Sequence, residues 1–211
     1  MTGIIIAAVL LGVYILFLLW YYGFRKPLSK EETGRYISIM ENRSGGPNKT
    51  PGNSIENLRK FALEDDGKQF FMVNFEKYHD QPQYQDGLAH LETSQEADKR
   101  YARNTMPLLF MRACHPYGIF QPVTNLSNIG KSNLSWDGIA VVRYRSRRDF
   151  LNMVTSPQWY AGYHHKLAAL SENPNMPSKG SIAFPIIPIL VFTILLLIGS
   201  IGTACIYFKP F

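Results

Sequence analysis

The sequence has its clearest local signal in Trp136-Asp-Gly-Ile-Ala-Val-Val-Arg-Tyr-Arg-Ser-Arg-Arg-Asp-Phe150, which predicts a β-strand followed directly by a helix. Its first nine residues are rich in β-branched and aromatic side chains and follow the two-residue alternation of a strand. Ser146 and Asp149 lie three residues apart, a pattern that caps helix N-termini. We therefore expect a strand over 136–144 and a helix over 147–154.

The rest of the middle segment predicts further elements around this stretch. In chain order they are a helix over 55–62 that stops at Asp65-Asp66-Gly67, a strand over 69–76, a helix over 92–113 that Pro107 should kink or divide, a strand over 119–126, and a helix from Pro157 to Leu170. The order helix, strand, helix, strand, strand, helix predicts an α+β fold, with a small antiparallel sheet and helices on one face.

The two ends of the chain are hydrophobic. Gly3–Tyr22 and Ile182–Phe208 contain no charged residue, and each is long enough as a helix to cross a bilayer. Arg25, Lys26 and Lys30 directly follow the first run, so the positive-inside rule predicts a two-pass membrane protein whose middle domain is cytoplasmic. Both termini are then expected on the opposite side of the membrane.

These observations divide the chain into five expected segments. They are a transmembrane helix (3–22), a juxtamembrane tether rich in glycine and proline (23–53), an α+β domain (54–172), a linker (173–181) and a second transmembrane helix (182–208). Basic residues are scattered among acidic ones, so no nucleic-acid surface is predicted. The two cysteines, Cys114 and Cys205, do not form a disulfide framework, since Cys205 lies in the second hydrophobic run.

Several of these segments resemble a known family. They are Phe71-Met-Val-Asn-Phe75, Tyr101, Trp136–Phe150, Ser156-Pro157 and His164-His165-Lys-Leu-Ala-Ala-Leu170. The region from about Ile55 to Glu172 resembles domain-of-unknown-function family 1330, in the dimeric α/β-barrel superfamily. This resemblance implies a ferredoxin-like protomer whose sheet pairs with a second copy. The chain departs from the family by its hydrophobic ends and by a linker where the fourth strand is expected.

Five residues are candidates for a ligand site. Asn74 is an amide in an apolar strand, so it either points at a ligand or makes a structural hydrogen bond. Arg143, on the same strand face as Arg145, could bind an anion together with Tyr101, or could form salt bridges. His164 and His165 are adjacent on a helix, where their side chains should diverge by about 100°. One histidine could therefore face a pocket while the other lies on the surface.

Other polar residues are weaker candidates. Cys114 and His115 are adjacent at a helix end, where a nucleophile and its base do not hydrogen-bond, so packing is the expected role. His79, Asp80 and His90 lie in a polar loop and are expected to be solvated or to form a lid. No metal-ligand spacing occurs, and no cofactor is predicted.

Two functions fit this pattern. The first is a non-catalytic accessory or scaffold subunit of a larger membrane complex, anchored by both terminal helices. The second is a membrane-tethered α/β-barrel enzyme or small-molecule binder, of oxidoreductase type, acting on a lipophilic ligand. Expected partners are membrane lipid, other transmembrane subunits and a possible homodimer through the ferredoxin-like domain. The pairs Ala8/Gly12 and Gly199/Thr203 have the spacing of closely packed helices, which favours packing against other helices.

Overall fold

A computed structural model of the chain describes residues 2–24, 26–44, 55–85, 91–124, 135–181 and 183–207. The chain divides into two compact units, a terminal unit of Met1–Phe24 and Gly180–Phe211 and a central unit of Arg25–Lys179. Within the described ranges there are seven helices and five strands: α1 Thr2–Tyr22, α2 Lys30–Ser44, α3 Ile55–Leu63, β1 Phe70–Tyr78, α4 Ser94–Phe110, β2 His115–Phe120, β3 Gly138–Tyr144, α5 Arg147–Val154, α6 Pro157–Ala169, β4 Leu170–Glu172, β5 Asn175–Ser178 and α7 Ile186–Tyr207.

The terminal unit consists of two apolar helices, α1 and α7, and both are long and apolar enough to cross a membrane. They run antiparallel. The Tyr14 hydroxyl donates to the Pro188 carbonyl (3.3 Å) near the start of α7, whereas Gly3 faces Thr203 near its end. A Cβ at Gly199 would lie 2.9 Å from Leu10 Cδ1, so this glycine permits the close approach of α7 to α1.

The central unit is an antiparallel sheet in the order β2-β3-β1-β4, with β5 also paired to β1. Because side chains alternate along a strand, the sheet has two distinct faces. The helix face buries its side chains against α4, α5 and α6, in a core that includes Phe70, Met72, Tyr144, Met153 and Trp159. The opposite face carries Phe71, Val73 and Phe75 of β1, beside Ile139, Val141 and Arg143 of β3.

The predicted Ser146 cap and the predicted start of the next helix at Pro157 are confirmed. The Ser146 hydroxyl accepts a hydrogen bond from the Asp149 amide at the start of α5, and the Ser156 hydroxyl accepts one from the Trp159 amide at the start of α6. Pro107 does not divide α4, which continues to Phe110. The second strand begins at His115 rather than at residue 119, and the residues beyond 124 that were assigned to it lie outside the described part of the chain.

The prediction of a structureless linker over 173–181 is wrong. Residues 175–178 form β5, which pairs with Phe71–Asn74, and together with β4 it occupies the fourth position of the sheet. Asn173 and Pro174 interrupt the strand, but the Asn173 side chain donates to the Phe75 carbonyl (2.7 Å) and the Phe75 amide donates to the Pro174 carbonyl (3.1 Å). Prolines are tolerated here because the strand pairs on one side only.

The tether predicted over 23–53 is also wrong over Lys30–Ser44, where α2 forms. The Ser29 hydroxyl accepts from the Glu32 amide (3.1 Å) and the Glu32 carboxylate accepts from the Ser29 amide (2.9 Å), which is a capping box. One helix face is buried by Thr33, Tyr36, Ile37 and Met40. Tyr36 packs with Ala62 and Leu151, so α2 is part of the central unit. The turn residues 45–54 lie outside the described ranges.

Two arginines hold α2 in place. The Arg148 guanidinium donates to both Glu32 carboxylate oxygens (3.0 Å each) and to the carbonyls of Lys26 and Pro27 (2.7 and 2.9 Å). Arg43 donates to the carbonyls of Val154 and Thr155 at the end of α5 (2.9 and 2.8 Å), where helical carbonyls lack partners. We call these contacts the α2 clasp.

Candidate functional site

A group of half-buried titratable side chains lies where β1 ends beneath α4 and α6. Glu76 and Tyr78 follow Phe70 and Met72 along β1 at two-residue spacing, so they lie on the helix face. Asp98 belongs to α4 and Lys166 to α6. The Tyr78 hydroxyl donates to Asp98 Oδ2 (3.2 Å). We call Glu76, Tyr78, Asp98 and Lys166 the carboxyl cluster, and all four side chains are half-buried.

Gly138 gives the Glu76 carboxyl its place. The two residues are direct partners across β1 and β3, and a Cβ at Gly138 would lie 2.8 Å from Glu76 Oε2 and 3.5 Å from Glu76 Cβ. These distances mean that the carboxyl lies close over the glycine backbone. A side chain at position 138 would therefore push the Glu76 carboxyl away from the sheet.

Burial perturbs the acid–base behaviour of the cluster. It raises the pKa of the Glu76 carboxyl, the charge of Asp98 raises that pKa further, and Lys166 opposes the shift. Burial likewise raises the pKa of Asp98, against the opposing effects of Lys166 and of the Tyr78 hydrogen bond. The pKa of Tyr78 is also raised, first by burial and then by the neighbouring carboxylates. The cluster thus favours the protonated form of both carboxyls relative to water.

A second polar network adjoins the cluster at the end of α6. His165 Nδ1 lies 2.8 Å from the Tyr84 hydroxyl, which lies 2.6 Å from Glu92 Oε1, and Arg100 donates to Glu92 Oε2 (2.6 Å). A carboxylate only accepts, so the single Tyr84 proton goes to Glu92 and the His165 Nδ1–H donates to Tyr84. The Tyr84 hydrogen bond is the main cause of the lowered pKa of Glu92.

The two histidines do not diverge as their adjacent positions predict. Their ring centroids lie 3.9 Å apart, and both rings pack near Tyr84, with centroid distances of 6.0 Å for His164 and 5.7 Å for His165. His164 is exposed and His165 is half-buried. The side-chain torsions bring the rings together although the Cβ directions differ by about 100°. No group of three or more His, Cys, Asp or Glu side chains suited to a metal occurs among the described residues.

Tyr101 lies in the core beside the carboxyl cluster. Its ring packs edge-on to Trp159 and Tyr163, its hydroxyl accepts from Trp159 Nε1 (3.3 Å), and the Lys166 ammonium lies 5.4 Å from the ring centroid. Burial raises the pKa of Tyr101 to about 12. These contacts make Tyr101 a packing residue whose hydroxyl has a partner within the protein.

Asn74 and Arg143 are both engaged in hydrogen bonds within the fold. The Asn74 amide donates to the carbonyls of Met72 and Ala140 (3.2 and 3.0 Å), and its oxygen accepts from Asn175 (3.0 Å). Arg143, which is 2% exposed, donates to Gln69 Oε1 (2.9 Å) and to the Ala113 carbonyl (2.7 Å). Since Arg143 lies on the opposite face of the sheet, the structure does not bring it together with Tyr101 or the histidines.

The remaining candidates have similarly ordinary surroundings. Cys114 follows α4 and is 1% exposed, and burial raises the pKa of its thiol to about 12, which suppresses the nucleophilic thiolate. His115 begins β2, so the pair does not lie within a helix. Arg145 pairs with Asp149. The His79 amide donates to the Ala169 carbonyl in the loop after β1, and His90 lies outside the described residues.

Sequence reasoning missed all four members of the carboxyl cluster. A signal was present for each. Glu76 and Tyr78 continue the inward register of Phe70 and Met72, Asp98 precedes Tyr101 by one helical turn, and Lys166 follows Tyr163 by one turn. The sequence did not reveal that α4 and α6 pack over β1, which brings these positions together.

Comparisons with known proteins give one kind of likeness. No protein-family model matches the chain, and no curated protein matches it. Similar solved structures include the RPA0582 protein of unknown function from Rhodopseudomonas palustris and a methylated form of RPA0582. Sequence identities are 21% and 22%, and the TM-score is 0.56 for each. The alignments cover 62% and 63% of this chain and 96% and 94% of the others. At such identity the likeness concerns the fold alone.

Proposed function

We propose that this chain is a non-catalytic accessory or scaffold subunit of a larger membrane protein complex, anchored by α1 and α7. The observation that carries the proposal is the engagement of the five candidate ligand residues. Asn74, Tyr101, Arg143 and His165 make hydrogen bonds within the protein, His164 packs on its neighbour, and the five are divided between both faces of the sheet. Residues that served a common ligand would converge on one site.

The central domain is, in this proposal, a ferredoxin-like fold of the domain-of-unknown-function family 1330. The strand order β2-β3-β1-β4 and the chain order β1-α4-β2-β3-α5-α6-β4 support the ferredoxin-like assignment. The family assignment is supported by the sequence segments around Phe71, Trp136 and His164. β4 and β5 together stand at the position of the fourth strand of that fold.

The opposite face of the sheet is the proposed docking surface. Val73, Phe75, Ile139 and Val141 place a continuous apolar patch there. The buried core clusters that the structure describes contain none of these four side chains. Sheets that bury one face require a cover for a second apolar face. We assign this patch to another subunit of the complex, with a second copy of the chain as the competing occupant.

The membrane arrangement follows from the two ends of the chain. α1 and α7 cross the bilayer in opposite directions in this proposal, which their antiparallel packing supports. Arg25, Lys26 and Lys30 after α1 favour a cytoplasmic position for the central domain, with both termini on the other side. Surrounding lipid covers the remaining apolar surface of the two helices.

A charge on the docking surface tests the proposal. Val141→Lys places an ammonium in the centre of the apolar patch, and Val123→Lys is the matched control because Val123 is 97% exposed. We expect Val141→Lys to release the chain from its complex during native purification, while Val123→Lys co-purifies as the wild type does. Retention of the complex by a folded Val141→Lys variant would contradict the docking surface.

A membrane-tethered enzyme or small-molecule binder for a lipophilic ligand is the second candidate. The observation that favours it is the carboxyl cluster, because groups with perturbed pKa values are common at active sites. Mass spectrometry of small molecules released from the gently extracted protein would test it. A stoichiometric lipophilic molecule that is lost on Asp98→Asn substitution would favour this candidate over the accessory role.

A further inference from the structure

The carboxyl cluster has more negative than positive charge in a poorly solvated place. Glu76 of β1 and Asp98 of α4 are two carboxyls, and Lys166 of α6 is the cation whose charge acts on both of them. Two ionised carboxylates beside one ammonium leave one negative charge uncompensated. An uncompensated charge away from water is unfavourable, and binding one proton removes it.

The other groups that face the two carboxyls do not supply the missing positive charge. Tyr78 donates one hydrogen bond to Asp98 and stays neutral, since burial and the carboxylates raise its pKa. Tyr101 of α4 lies beside the pair and is also neutral at physiological pH. Asp137, just before β3, raises the pKa of Tyr78 and is paired with Lys77 (3.1 Å), so this ion pair supplies no net positive charge. Burial therefore favours proton uptake by both carboxyls, and the charge of Asp98 favours it at Glu76, whereas Lys166 and the Tyr78 hydrogen bond oppose it.

We propose that Glu76 and Asp98 form a proton-binding site that takes up one proton when the exposed carboxyls of the chain are ionised, and that Lys166 sets how tightly the proton is held. Gly138 is part of this site because it lets the Glu76 carboxyl lie against the sheet. Such coupled carboxyls titrate as a pair rather than as two independent groups. The site is independent of the accessory role.

Proton binding makes the packing of α4 and α6 on β1 sensitive to pH. The folded domain binds the proton more tightly than the unfolded chain does, because the pKa of each carboxyl is raised by folding. The stability contributed by the protonated cluster is therefore present at acidic pH. It declines as the pH rises from the range of ordinary carboxyls through the raised folded-state pKa.

Infrared spectroscopy of the full chain in detergent micelles tests the site directly. A protonated carboxyl absorbs at a different carbonyl frequency from a carboxylate, so the spectrum counts the protons that remain. We expect one protonated carboxyl to persist above the pH at which exposed carboxyls ionise. Both Glu76→Gln and Asp98→Asn should abolish this signal, since each leaves one carboxyl beside Lys166.

Two further variants complete the experiment. Lys166→Met should move the midpoint of the signal to higher pH, because it removes the charge that favours ionisation. Glu96→Gln is the matched control, since Glu96 is an exposed carboxylate of the same helix, and it should leave the signal unchanged. Absence of the signal in the wild type, or its persistence in folded Glu76→Gln or Asp98→Asn, would overturn the proposal. If a variant fails to fold, the pH titration of the carboxyl signal in the wild-type chain alone tests the proposal.

Discussion

Substituting Arg148 by methionine removes the Arg148 contacts of the α2 clasp and leaves those of Arg43. The guanidinium makes two hydrogen bonds to Glu32 and one each to the carbonyls of Lys26 and Pro27. The Arg148 and Glu32 side chains are 27% and 31% exposed, so solvent screens the ion pair, and such pairs contribute about 1 kcal/mol or less. Adding about 0.5 kcal/mol for each partly exposed carbonyl bond gives about 2 kcal/mol for Arg148→Met.

A double-mutant cycle with Glu32→Gln isolates the ion pair from the carbonyl bonds. Urea unfolding of the full chain in micelles, followed by tryptophan fluorescence, should give a coupling energy of about 1 kcal/mol between positions 32 and 148. The matched control is Arg103→Met, because Arg103 is an exposed arginine on α4, and it should change the unfolding free energy by less than about 0.5 kcal/mol. A coupling energy near zero would refute the clasp.

The same pair has a defined pH dependence. The hydrogen bonds from Arg148, with those from Ser29, lower the pKa of Glu32 from 4.5 to about 2. A carboxyl whose pKa is lowered by folding stabilises the fold above its unfolded pKa, so this contribution is complete above about pH 4.5 and is lost as the pH falls towards 2. The coupling energy should therefore shrink over that window, and a coupling that is constant with pH would contradict the assignment.

Two other substitutions and one labelling experiment have clear expected results. Gly138→Ala should lower the unfolding free energy by about 1 kcal/mol, because the new Cβ displaces the Glu76 carboxyl. The loss should be much smaller in a Glu76→Ala background, and equal losses in both backgrounds would contradict this reason. Ser94→Ala should raise stability by up to about 1 kcal/mol in urea unfolding, since the Ser94 hydroxyl is buried and makes no hydrogen bond with described residues, and a marked loss would show that a partner exists. Cys114 should react with a thiol reagent only on unfolding, and rapid labelling of Cys114 in native protein, located by peptide mass mapping, would disprove its inert assignment.

Local signals in the sequence predicted the elements whose cause is local. α5 and α6 begin at the serines that cap them, and β1 and β3 follow their apolar runs. The missed helix α2 also had a local signal, the capping box from Ser29 to Glu32, but the turn residues after position 44 suggested a tether for the whole segment. The partners that bury α2, such as Leu151, come from distant parts of the chain.

β5 and the carboxyl cluster were not predicted, because their causes lie beyond the local sequence. Pro174 and Pro177 argue against a strand, and only the edge position beside β1 makes them acceptable. In the sequence, Glu76 is only the last residue of a predicted strand. Its neighbours Asp98 and Lys166 come from α4 and α6, whose packing the sequence did not predict. Conversely, Asn74 and Arg143 were predicted as ligand residues because the sequence did not reveal their hydrogen-bond partners within the fold, which include the carbonyls of Ala140 and Ala113.

The accessory role is tested most directly by the mass of the particle that contains this chain after mild detergent extraction from its native membrane. We expect a particle much larger than two copies of the 24.1 kDa chain, in which the chain and other membrane subunits occur in fixed ratio. Folded Val141→Lys chain should leave this particle, while Val123→Lys chain should remain. A free monomer or homodimer of the wild-type chain would contradict the accessory role.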